Sequence, residues 1–97
     1  MTTSVAAYQK GTVDREAAFK FVSHTVTAGQ DSANAAAVTV SDIGTIRDVI
    51  NVQIESTTGV FRAPQGVVSK SGAVVTINDT GLAVDEIIHF TAIGYSV

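Results

Sequence analysis

From Phe19 onward the chain is a series of short β-branched runs, each cut off by a cluster of Gly, Asp, Asn or Ser. Ile46 to Ser56 shows the pattern most cleanly. Ile46, Ile50, Val52 and Ile54 share one parity, while Arg47, Asn51, Gln53 and Glu55 share the other. A period of two is the strand period, and it predicts a central strand with Ile50, Val52 and Ile54 buried. Asp48 interrupts the inward row near its start, which places that end at a sheet edge. Composition points the same way: fifteen Val, eight Ile and twelve Thr stand against one Leu, Leu82. Side chains branched at Cβ are stiff and suit a pleated surface, whereas helices favour Leu, Ala, Lys and Glu.

The other strands follow from the same signals. Phe19 to Thr27 is the first, apolar on both faces, with Phe19 and Phe21 on one and Val22 and Val26 on the other. Ala28 to Asn34 has loop composition, Ala36 to Val40 is a short strand, and Ser41 to Gly44 is a turn. Thr57-Thr-Gly59 reverses the chain into Val60-Phe-Arg62, which Pro64 and Gly66 interrupt. Val67 to Ser69 and Ala73 to Asn78 flank Lys70-Ser-Gly72, a three-residue hairpin loop with Gly at the left-handed position. Asp79 to Ala83 turns into the last strand, Glu86 to Ile93, with Ile88, Phe90 and Ala92 on one side and His89 and Thr91 on the other. One helical turn is expected, at Asp14 to Phe19, where Asp14 is a possible cap. Residues 1 to 13 have no period and read as a flexible N-terminal arm, leaving 14 to 97 as the β domain. Turn signals roughly every 8–12 residues imply an all-β fold, a small antiparallel β-sandwich or partly open barrel. The absence of strand–helix alternation excludes a parallel α/β sheet.

A chain of 97 residues makes one domain with a thin core, burying only about 60–70% of its unfolded surface. Without Cys it has no disulfides or thiolate metal sites, and two histidines are too few for a His-based cage. Oligomerisation is the remaining compensation. The net charge is −3, and Lys10, Arg15, Lys20, Arg47, Arg62 and Lys70 are scattered, which argues against nucleic acid as a partner. Charged residues are only 15% of the chain, below the roughly 25% of an average domain. Mean hydropathy is +0.30, yet no apolar run approaches the roughly 18–20 residues that cross a bilayer, so no membrane partner is expected. The first seven residues lack the basic and apolar regions of a signal peptide. Few charges and much aliphatic surface suit permanent contact with another protein.

No catalytic, metal or cofactor residues are expected, and the chain reads as a non-enzyme. His24 or His89 with Asp48, Asp79, Asp85 and Glu86 are the only raw material for acid–base chemistry, and nothing in their spacing joins them. His24 shares parity with Val22 and Val26 and reads as a hydrogen-bonded, partly buried side chain; His89 reads as a solvent or interface residue. Asp42-Ile-Gly44 and Asp79-Thr-Gly81 lack the alternating ligands and terminal Glu of a calcium loop and read as turns. The six aromatics are too dispersed for a base-stacking face.

Arg47-Asp-Val-Ile-Asn-Val-Gln-Ile-Glu55, Thr58-Gly-Val-Phe-Arg62, Gly72-Ala-Val-Val-Thr-Ile-Asn-Asp-Thr-Gly-Leu-Ala83 and Glu86-Ile-Ile-His-Phe-Thr-Ala-Ile-Gly94 resemble small structural proteins of tailed bacteriophages. In residue pattern they are most similar to capsid decoration (cement) proteins, and less so to tail or head–tail joining proteins. These segments cover about half the chain and contain no diagnostic motif. The resemblance implies a β-rich module, commonly a homotrimer, that is assembled in the host cytoplasm, sits on the virion and locks the major capsid protein or another virion protein. It carries no catalytic residues. Val5, Tyr8 and Val13 of the arm, with Phe19 and Phe21 of the first strand, are the candidate partner-binding residues. The rival expectation is a monomeric ligand-binding β module using the loops Lys70 to Gly72 and Asp79 to Ala83.

Overall fold

The computed structural model of the chain describes residues 17 to 96, which form seven strands and one helical turn. In chain order these are β1 (Ala17–Thr25), α1 (Gln30–Ala33), β2 (Ala35–Thr39), β3 (Ile43–Glu55), β4 (Phe61–Arg62), β5 (Val68–Ser71), β6 (Val74–Asn78) and β7 (Ile87–Ser96). Two antiparallel sheets result, one four-stranded in the order β1-β7-β3-β4 and one three-stranded in the order β2-β6-β5. The all-β, sandwich-like reading of the sequence holds. The arm, residues 1 to 13 with Val5, Tyr8 and Val13, lies outside the described residues.

Alternating side chains from the two sheets fill the space between them. β7 contributes Ile88, Phe90 and Ala92; β3 contributes Ile43, Ile46 and Ile54; β2 and β6 answer with Ala36, Val38, Val75 and Ile77. Val26 and Leu82 add to the core beside the β6–β7 loop, and Ala18, Val22, Val49, Val52 and Val68 pack against it. The sheets are tied at their backbones as well, Ile46 N of β3 donating to Gly72 O of the β5–β6 loop at 2.8 Å.

β3 departs from the simple alternation. Its pairing with β7 shifts three times, between Ile43 and Thr45, between Ile46 and Asp48, and between Ile50 and Gln53. Each extra residue on one strand of an antiparallel pair moves the following side chains to the other face. Ile46 is therefore buried, but Asp48 and Ile50 point outward and Val49 turns inward, before Ile54 returns to the core. Ile50 is 38% exposed, so its expected burial is corrected, and Val52 is half-buried at the margin of the core. Asp48 follows a bulge, at a point where the side of β3 away from β7 has no ladder among the described strands, so the edge read from the sequence is there as well. Asn51 accommodates the last shift with φ 57°, a left-handed conformation that Asn tolerates.

Two local expectations are also corrected. Ala17 to Phe19 are strand, paired with Tyr95, Gly94 and Ile93, so the helical turn expected there does not include them; Asp14 to Glu16 lie outside the described residues. A four-residue helix stands instead within the segment read as loop, at Gln30–Ala33, stopped by Asn34 at φ 55°. The β5–β6 hairpin has Ser71 opposite Val74, leaving a two-residue loop in place of three. Gly72 opens that loop at φ 58°, the left-handed position the sequence assigned to it.

Candidate docking face

The outer face of the four-stranded sheet carries Phe19 and Phe21, two of the five residues the sequence marked for contact; Val5, Tyr8 and Val13 lie outside the described residues. In β1 the odd positions face solvent and the even ones face the core. Val22 thus packs on the interior, while Phe19 and Phe21 are 69% and 84% exposed. The register continues the row across the sheet: Phe19 lies opposite Ile93, and Phe21 opposite Thr91, which in turn pairs with Ile50. Thr91 is buried between these neighbours despite facing outward. Phe61 on β4 adds a further exposed ring beside Glu55. Exposed aromatics on one face of a small domain are the common signature of a protein contact.

Across the same face runs a polar row from three strands. Ser23 Oγ lies 2.9 Å from His89 Nδ1, and His89 Nε2 lies 2.8 Å from Glu55 Oε1. The Phe61 ring sits 5.8 Å from the imidazole, tilted by 38°. Hydroxyl, imidazole and carboxylate in series are the ingredients of a hydrolase. Acyl transfer also needs backbone N–H donors aimed at the developing oxyanion. β7 is one of the sheet's two inner strands, with ladders on both sides of His89, to Ser23 and to Gln53, that engage the backbone there. A cross-strand polar ladder that fixes the sheet's register accounts for the row. The sequence read His89 as a solvent or interface residue and set Glu55 on the outward parity of its strand, but their meeting with each other and with Ser23 depends on the strand register and was not visible there.

A second cluster joins the two sheets. Asp79 is only 2% exposed, and its carboxylate accepts from Arg62 Nη2 at 2.7 Å, Gln65 N at 2.7 Å and Gly81 N at 3.2 Å. Arg62 Nη2 also reaches Glu86 Oε1 at 3.2 Å and Gly81 O at 3.2 Å, and Glu86 Oε1 accepts from Ala83 N at 3.0 Å. The Asp79–Gly81 contact is the turn chemistry read from the sequence; the link to Arg62, seventeen residues away, was not visible there. The arrangement clasps β4 onto the β6–β7 loop, so that loop serves as a structural tie. Arg62 Nη1 is buried without a partner, a cost the clasp carries.

His24 is half-buried, its Nε2 3.0 Å from Gln30 Oε1, as its parity suggested. Gln30 Oε1 also accepts from Thr27 N, so the same side chain holds the turn into α1. Among the described residues, no group of three or more His, Asp or Glu side chains is placed to hold a metal. At the far end of the outer face, Arg47 donates to Tyr95 Oη at 2.9 Å and stacks over its ring at 5.6 Å. No family model, no curated protein and no solved structure matches the chain.

Proposed function

We propose that the chain is a structural protein of a tailed-bacteriophage virion, most like a capsid decoration protein, acting as a homo-oligomer that binds and stabilises the head shell. The observation that carries this reading is the pair Phe19 and Phe21, held outward on a rigid strand in a chain with only 15% charged residues. Leaving two large rings in water forfeits roughly 1.5–3 kcal/mol each relative to burial, which a partner would recover. The residue pattern between Arg47 and Gly94 supplies the virion context. The trimer belongs to that resemblance alone. A tail or head–tail location fits the same surface.

The test is co-sedimentation with purified phage shells that lack a decoration layer. The wild-type protein should pellet with shells and raise their melting temperature. The double variant Phe19→Ser/Phe21→Ser should keep its far-ultraviolet circular dichroism and lose binding. Wild-type protein that stays in the supernatant at every concentration would overturn the reading.

A further inference from the structure

The edges of the two sheets are unequal. β4 has two residues, β5 four and β2 five, lengths too short to template another strand well. Among the described strands, the side of β3 away from β7 has a ladder only at Ile54 and Glu55, Ile46 N bonds Gly72 O further along, and three register shifts bend the strand. β1 differs. It has nine residues in unbroken register with β7, no Pro and no bulge, and among the described residues its other edge has no strand beside it. Its one charge, Lys20, is turned to Ser41 Oγ and Asp42 Oδ2, at 3.1 and 3.2 Å. Natural edge strands normally carry a device against pairing, and the one such residue on β1, Lys20, is tied back to Ser41 and Asp42.

We propose that β1 pairs antiparallel with β1 of a second copy about a two-fold axis at Phe21, fusing the two four-stranded sheets into one. The register follows from the side chains. Residues opposite each other share a face, so the axis must pass through a residue. An axis at Lys20 sets two ammonium groups against each other, which is unfavourable. An axis at Val22 sets Phe21 against Ser23 and Phe19 against Thr25, separating the rings. An axis at Phe21 puts Phe21 opposite its symmetry mate, with Phe19 of each copy diagonal to it and Lys20 opposite Val22. One long open edge per chain closes on itself in a dimer, whereas two such edges would propagate a fibre. The joined sheet presents four adjacent Phe rings on its outer face. This inference deepens the oligomer proposed above and rests on reading Phe19 and Phe21 as contact residues.

The chain has no Cys, so single cysteines report the register without background. Directly opposed Cα atoms in an antiparallel pair lie about 4.5–5.5 Å apart, within disulfide range. Under oxidised glutathione, F21C should form a disulfide dimer at roughly ten times or more the yield of V67C, whose parent side chain is 69% exposed and lies off the edge. F19C alone and S23C alone should stay at the V67C level, and an equal mixture of the two should cross-link. Native mass of the wild type should be twice the 10.0 kDa of the chain, falling to one chain for F21K with its circular dichroism unchanged. F21C no better than V67C, or equal linking at every position, overturns the pairing, as does a wild-type mass of one or three chains. A three-chain mass with shell binding intact would sink the two-fold contact and leave the virion reading standing. A β1-linked dimer that ignores shells would do the reverse.

Discussion

Gly94→Ala tests whether the bulged β3–β7 pairing is the true register. Gly94 is buried in β7 opposite Ile46, between the first two shifts of β3. A Cβ placed there would lie 2.1 Å from Thr45 O and 3.0 Å from both Ile46 Cα and Thr45 C. All three are backbone atoms, so no side-chain rotation relieves the clash. An ordinary carbon–oxygen contact needs about 3.3 Å, so the strands must part by roughly 1 Å. Overpacking of this kind costs about 1–3 kcal/mol. Stretching two ladder hydrogen bonds adds about 0.5–1.5 kcal/mol each. Removing a glycine from the unfolded chain returns about 0.4–1 kcal/mol. The net loss is about 3 kcal/mol, or a fall in Tm of roughly 10–25 °C for a domain of this size. Urea and thermal unfolding followed by circular dichroism measure it directly. A G94A protein within about 0.5 kcal/mol of wild type would refute the close approach, and with it the bulges on either side.

Three other outcomes follow from the same packing. Ile54→Ala should cost about 2–5 kcal/mol and Ile50→Ala under about 1 kcal/mol in the same urea titration, since the first side chain is fully buried and the second faces outward. Arg62→Met leaves the Asp79 carboxylate buried without its cation and should destabilise by about 3 kcal/mol, read as a shift in denaturation midpoint with unchanged slope. Gly72→Ala meets no atom within 4 Å but must hold φ 58°, so it should cost only about 1–2 kcal/mol, a strain without a clash that hydrogen exchange would localise to the β5–β6 hairpin.

The contrast between Ile50 and Ile54 shows where a sequence stops being readable. Strand content, the outward Phe19 and Phe21, and the inward row Ile88, Phe90 and Ala92 all follow from a period of two, because β1 and β7 pair without a shift. In β3 the period is true only between bulges. A bulge is a property of two strands and their neighbours, chosen where Thr45 O meets a residue with no side chain. No local signal in Ile46 to Ser56 announces it, although Gly94 and Asn51 are the residues that permit it. α1 was missed for a related reason: Ala28 to Asn34 has loop composition, and Gln30 stabilises its turn through His24, a contact from a different element. Arg62 and Asp79 are likewise ordinary in isolation, and only the closing of two sheets brings them within reach.

β7 is last in chain order yet sits inside its sheet, bonded to β1 on one side and β3 on the other. Its partner residues are far away: Ala17 meets Tyr95, and Ile43 meets Ser96. Among the described strands, the β3–β4 and β5–β6 hairpins are the local pairings. During synthesis β1, with its two outward rings, must therefore wait for its ladder partner until β7 has been made. Contacts between such remote segments carry a large loop-closure cost before they return any stability, which places folding in the slow range of about milliseconds to seconds. For that interval the edge of β1 that β7 covers in the fold is open, and incompletely folded chains with unpaired strand edges are prone to stick together. The low charge that suits a permanent contact in the finished protein leaves little repulsion to guard against it.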